Sequence, residues 1–283
     1  MQEKSNASDV YNLVRKNVNP AYRGLVKHLD RGLTTKHLYF NTFEMVLPHG
    51  RGACASSAII LSILYAIEKD WELKKAALAK EKEVFKMLKN RPYWHTAKEQ
   101  NRQIVGNAAV VVPNGYYPRE MMKNFAWCME KIGVAGSYND SLSQHRFVHK
   151  ESGAKIYFLE ANKVIGHCER FKYLYCNDVD AFAGYQQYLN IMGYVFKMTN
   201  PEVNTFSFVE FNVPSSVLHW TYPVFTSRPN GVCFKKFLGS YLTVPKEWLG
   251  DAFFAQADLL KRQDRELYKN EYLGKPIRIL NSI

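Results

Sequence analysis

Apolar residues follow two rhythms along this chain. Short, nearly continuous runs rich in β-branched and aromatic residues, at Phe43–Leu47, Ala108–Val112, Lys155–Leu159, Lys172–Cys176 and Thr205–Phe211, have the length and composition of buried strands. Between them, Ser56–Glu68, Arg119–Ile132 and Phe182–Phe196 carry apolar residues at helical spacing. The alternation predicts an α/β fold, a mostly parallel central sheet with helices on both faces. Lys69–Lys89 contains no Pro or Gly and sets Trp71, Leu78 and Phe85 seven apart, which predicts a further amphipathic helix. Arg91-Pro92 ends it, and the stretch to Gly106 reads as a loop or a second short helix. Arg146–His149 and Lys155–Leu159, separated by five residues that include Gly153, predict a β-hairpin.

The chain has 283 residues, 47% hydrophobic and 14% aromatic, which excludes a disordered class and supplies enough apolar surface for a large core. No repeat or Pro/Gly/Ser linker divides it, so residues 1–283 read as one domain with an insertion at about 69–105. The longest apolar run, Ala58–Ile67, is half the ~20 residues a bilayer requires, and no membrane partner is expected. A polar N-terminus without a secretory pattern points to the cytoplasm. Five cysteines without a C-x-x-C pair argue against a disulfide framework or a zinc ribbon.

The formal charge is +12, and much of the excess falls in residues 69–102, which hold ten Lys/Arg against five Asp/Glu. Lysines displace counterions from phosphates, so Lys74, Lys75, Lys82 and Lys86 are candidate DNA contacts. A solvated helix face serving solubility is the alternative.

Candidate chemistry centres on Pro48-His49-Gly50-Arg51-Gly52-Ala53-Cys54-Ala55-Ser56-Ser57, between a strand and an apolar helix. That is the layout of a phosphate-binding loop, in which glycines let backbone N–H groups converge and the helix N-terminus adds partial positive charge. The usual second Gly and the Lys after it are here Cys54 and Ala55. Arg51 offers one guanidinium, and Ser56 a hydroxyl for Mg²⁺. A glycine-rich turn between core elements is the other reading of these residues alone. Among the remaining polar residues, His145, His149, His167 and Cys168 with Cys176, Asp178 and Asp180 match no zinc spacing, and no metal site is expected there. Tyr116-Tyr117 occupies a turn where a ring could meet a base.

From near Val18 to Gly274 the sequence resembles the large terminase subunits of tailed phages and prophages, the ATPases that drive DNA into procapsids. Asn19-Pro20-Ala21-Tyr22 resembles the family's leading segment. Gly50-Arg51-Gly52-x-x-x-Ser56-Ser57 sits at its Walker A loop, and Phe171 to Phe182 is similar to its Walker B strand. Phe211-Asn212-Val213-Pro214 resembles the coupling segment. The run Ser240 to Gly250, followed by Tyr268-Lys269-Asn270-Glu271-Tyr272-Leu273-Gly274, is the most specific part. The resemblance implies a P-loop NTPase-like ATPase using ATP and Mg²⁺, in the cytoplasm of an infected or lysogenic bacterium. It acts on double-stranded DNA with a portal or small terminase subunit and forms a possible homo-oligomer. Gly50, Arg51, Gly52, Ser56 and Ser57 then correspond to nucleotide-binding positions and Ser56, Asn177 and Asp178 to the metal positions. Asp178 and Arg51 fall at catalytic places and Asn212 at the coupling position.

The departures fall on the same positions. Ala55 replaces the Walker A Lys, Cys54 the preceding Gly, Asn177 the first Walker B acid, and Asp178 the usual Glu. A carboxylate one methylene shorter sits about 1 Å out of place for activating its water, a displacement that can cost ~100-fold in rate. Very weak or lost ATP hydrolysis is therefore expected. The alternative is a non-catalytic DNA- or portal-binding module that keeps the fold. Large terminases continue into a nuclease domain, which this sequence, ending at Ile283, is expected to lack.

Overall fold

A computed structural model describes residues 6–34, 42–87, 106–161, 171–197, 204–216, 218–226 and 233–277 of the chain. Among them, eight strands make one sheet: β1 (Thr42–His49), β2 (Asn107–Val112), β3 (Tyr138–Ser141), β4 (Arg146–His149), β5 (Lys155–Glu160), β6 (Phe171–Cys176), β7 (Thr205–Asn212) and β8 (Cys233–Lys236). Their order is β3-β4-β5-β2-β6-β7-β1-β8. From β5 to β8 the strands are parallel, while β3, β4 and β5 form an antiparallel extension turned by Gly153 at φ 73°.

The apolar runs become strands because both sheet faces are covered. On one face Phe43, Met45, Leu47, Tyr173, Tyr175, Phe206 and Phe208 join a core with α1 (Ala7–Asn17), α2 (Arg23–Thr34), α3 (Ala55–Met87) and α4 (Pro118–Lys131). The Phe206 ring stacks between Phe43 and Tyr173, with centroids 5.0 and 5.6 Å away. On the other face Val46, Leu174, Cys176, Val209 and Phe211 pack with Tyr188, Ile191 and Met192 of α5 (Tyr185–Lys197).

Several expectations are corrected. The two helices read at Ser56–Glu68 and Lys69–Lys89 are one helix, α3, because no breaker separates them and Asp70 is neutralised where it enters the core. Asp70 accepts from Lys172 Nζ at 2.7 and 2.9 Å and from the Tyr173 hydroxyl at 2.6 Å. Residues 88–105 of the basic insertion lie outside the described residues. The helix expected from Phe182 begins at Tyr185, since Val179–Ala181 is a 3₁₀ turn and Gly184 has φ 150°. Helix α1, capped at Asn6, helix α2, both packed on α3, and the short strands β3 and β8 have no counterpart in the sequence reading. Helix α6 (Thr221–Thr226) follows β7.

Near the C-terminus, α7 (Lys246–Gln263), kinked at Gly250, and α8 (Arg265–Glu271) gather Tyr241, Phe253, Phe254, Tyr268 and Tyr272 into a third aromatic core. Among the described residues no helix is long and apolar enough to cross a membrane.

Candidate functional site

Because β1, β6 and β7 are parallel, His49, Asn177 and Asn212 reach the same carboxyl edge of the sheet, where open α/β sheets place their ligands. The β1–α3 connection opens there. Gly52 has φ 76° and Cys54 φ 57°, so Cys54 occupies a left-handed conformation that glycine adopts more easily. Burial raises the Cys54 thiol pKa, which suits a packing residue rather than a reactive thiolate.

At the centre lies Glu210 of β7, 1% exposed. Its Oε1 accepts the Ser56 hydroxyl at 2.6 Å, and its Oε2 accepts the Tyr175 hydroxyl and Asn177 Nδ2, the latter at 3.2 Å. His49 Nε2 stands 3.0 Å from Oε1, while His49 Nδ1 is 3.1 Å from the Gly50 carbonyl. Burial alone would push the Glu210 carboxyl up, but His49, Ser56 and Tyr175 outweigh it and hold its pKa below the usual range. For His49, burial acts downward and Glu210 prevails, raising the imidazole pKa. Asp178, in left-handed conformation at φ 45°, is raised to about 7 by burial and by repulsion from Glu210 and Asp180, which His49 partly offsets.

Two clefts open at this edge. One, of ≈ 410 Å³, is lined by Ser56, Asn177 and Asp178 together with Tyr116, Tyr117 and Met121. The structure therefore brings together the three residues expected at a metal, and beside them the two exposed tyrosines of the β2–α4 connection. The other, of ≈ 300 Å³, holds His49, Arg51, Asn212, Asn270 and Glu271. Arg51 is turned away from Asp178: its guanidinium lies 5.9 Å over the Tyr272 ring, and its backbone N–H donates to the Glu271 carbonyl. The Asn212 backbone N–H donates to Asp180 Oδ1 at 3.0 Å.

The loop glycines serve close packing. A Cβ on Gly50 would lie 2.6 Å from the Tyr272 carbonyl, and one on Gly52 would lie 2.4 Å from the Phe253 ring. Asn270 Nδ2 ties α8 to the end of β7 through the Val213 carbonyl at 3.0 Å. Ser57 is half-buried on the next position of α3. Lys74 and Lys75 flank Trp71, 5.9 and 5.6 Å from its ring, whereas the side chains of Lys82 and Lys86 lie outside the described residues, as do His167 and Cys168.

Ser56, Asn177 and Asp178 set oxygen-bearing side chains along the cleft, and among the described residues its wall supplies no cation to offset a triphosphate. Ala55 is buried and carries no ammonium, no Lys or Arg among the described residues lines the cleft, and Glu210 and Asp178 place negative charge where phosphate oxygens would approach. Glu210 and His49 escaped the sequence reading. The available signal was an acid inside the otherwise apolar run Thr205–Phe211.

A glycine-containing loop from strand to helix, with an acid on the turn that ends a parallel strand one strand away, is the arrangement of a P-loop NTPase-like fold. The chain shares that fold with the large terminase of bacteriophage HK97, at a TM-score of 0.60 and 7% identity over 96% of this chain and 56% of the other. It also superposes on the large terminase of a thermophilic bacteriophage in complex with ADP, at 0.51 and 8% identity over 88% and 53%. The chain thus spans just over half the length of these structures. No protein-family model matches the sequence, and no curated protein matches it.

Proposed function

We propose that this chain is an ATPase-type domain of a phage DNA-packaging motor, of the large terminase kind, in which ATP turnover is very slow or lost. The observation that carries the reading is the Ser56–Glu210 hydrogen bond at the end of a terminase-like phosphate loop. The hydroxyl expected at Mg²⁺ is engaged by the chain's own carboxylate, and no cation stands at position 55. The ADP carried by the thermophilic phage's terminase supports a nucleotide in the cleft beside Ser56 and Asp178. The motor reading brings double-stranded DNA and a portal as partners, with the basic stretch of α3 as the DNA-facing element. Residues 1–283 then form one domain.

The deciding experiment measures phosphate release and melting temperature with Mg–ATP on the full chain. Turnover well below the ~1 s⁻¹ at the slow end of phosphoryl-transfer enzymes is expected, with a small upward shift in melting temperature. Turnover at or above ~1 s⁻¹ would overturn the loss of catalysis.

A further inference from the structure

We infer that His49, Glu210 and Asp178 form a binding site for a divalent transition-metal ion, taken up by this chain without any nucleotide. Their ligand atoms, one imidazole nitrogen and two carboxylate oxygens, all lie within 4.8 Å of one another. The pair His49 Nε2 and Glu210 Oε1 is at 3.0 Å. Zinc bonds of about 2.0–2.2 Å set tetrahedral ligand atoms roughly 3.3–3.5 Å apart, so only Asp178 has to close in, by about 1 Å. It is half-buried on the turn after β6 and borders the open cleft.

An independent observation comes from the imidazole. His49 Nε2 is a buried nitrogen with no hydrogen bond of acceptable geometry, despite its closeness to Glu210. The other ring nitrogen faces the Gly50 carbonyl at 3.1 Å, so Nδ1 is an N–H donor and Nε2 is the ring nitrogen turned toward Glu210. A metal ion at Nε2 takes the place of the proton that Glu210 favours there, and finds a nitrogen and a carboxylate already side by side. A ligating histidine whose second nitrogen donates to a backbone carbonyl is the usual support for a metal. Glu210 is braced likewise, by Tyr175, Asn177 and Ser56.

The donor set selects the ion. Mg²⁺ favours all-oxygen, largely hydrated octahedra, whereas an imidazole with two carboxylates suits Zn²⁺ or Mn²⁺. Three protein ligands leave a fourth position for water or an anionic ligand, and Asp178 borders the ≈ 410 Å³ cleft through which it could arrive.

The probe is Zn²⁺ alone, titrated calorimetrically into the chelator-treated full chain with nucleotide absent. One ion per chain with micromolar or tighter affinity is expected, with a raised melting temperature that equal Mg²⁺ does not reproduce. His49→Gln and Asp178→Asn should each weaken binding by about 100-fold or more. Cys54→Ser should leave it unchanged. Asp178→Asn alters a residue at the cleft wall, so it decides alone should the His49 variant fail to fold. Absence of Zn²⁺ binding at millimolar concentration, binding that survives Asp178→Asn, or binding lost with Cys54→Ser would each overturn the proposal. Since the titration contains no ATP, its failure leaves the nucleotide reading standing.

Discussion

Ser56 and Glu210, 154 positions apart in sequence, meet hydroxyl to carboxylate at 2.6 Å. This contact joins the first turn of α3 to β7 and gives a buried acid its place at a helix N-terminus, where negative charge is favoured. Glu210→Ala would strip partners from Ser56, Tyr175 and Asn177 at once. Equilibrium urea unfolding should show a loss of about 3–5 kcal/mol for it, and only about 1 kcal/mol for Ser56→Ala. Equal effects of the two would mean that Glu210 does not organise the cluster.

Asp178 makes stability depend on pH. Its folded pKa, about 7, lies above the unfolded carboxyl value near ~3.9, so the native state holds an extra proton between the two. Its penalty is absent below about pH 4, grows as the pH rises, and is complete above about 7. His49, also raised, adds a loss in the same direction at higher pH. Asp178→Asn should therefore stabilise the metal-free protein at pH 8 by about 2 kcal/mol, have little effect at pH 4, and flatten the melting-temperature profile between.

Two glycine substitutions and one cysteine substitution should move stability in opposite directions. Cys54→Gly relieves a left-handed backbone at φ 57° and should stabilise by about 0.5–1 kcal/mol. Gly52→Ala drives a methyl into Phe253, and Gly50→Ala drives one into the Tyr272 backbone; each should cost about 2 kcal/mol or more. Thermal melting of the three variants provides the comparison, and stable alanine variants would show that α7 and α8 yield to the loop.

Rebuilding the site tests which groups are missing. Ala55→Lys alone should improve ATP binding without restoring turnover, because Cys54 still shapes the loop and Ser56 remains bonded to Glu210. Cys54→Gly, Ala55→Lys, Asn177→Asp and Asp178→Glu together should give measurable hydrolysis. A folded quadruple variant that neither binds nor cleaves ATP would place the defect elsewhere, with Glu210 the first suspect.

Neutralising Lys75, Lys82 and Lys86 should weaken DNA binding uniformly across sequences and lower the salt slope by about 0.9 per phosphate contact removed. Fluorescence anisotropy over a salt series measures both. An unchanged slope would make that stretch of α3 a solvated face.

The parallel core was legible because strands buried on both faces are written as unbroken apolar runs: Phe43–Leu47 lies within Thr42–His49, and Thr205–Phe211 within Thr205–Asn212. The Gly153 hairpin was legible from its turn chemistry. The polar cluster was not. Glu210 is one acid in an apolar run, and its meaning depends on His49, Ser56 and Tyr175 arriving from other elements at one edge. Arg51, adjacent to the loop glycines in sequence, is directed by Tyr272, whose approach no local pattern encodes. Helices α1 and α2 went unread although their buried positions, Ala7, Val10 and Val14 and then Leu25, Val26, Leu29 and Gly32, stand at helical spacing.

The strand order also sets a timetable for biogenesis. Among the described residues strand β1 pairs with β7 and β8, so during vectorial synthesis it waits for these partners until roughly 160 further residues have been added, some 10–30 s at ribosomal speeds. For that interval its apolar run is an exposed edge that α1, α2 and α3 alone can shield. The cluster at its end closes last, because Glu210 is the final member to leave the ribosome. A nascent chain arrested before β7 emerges should bind holdase chaperones, and one arrested after β8 should be released from them.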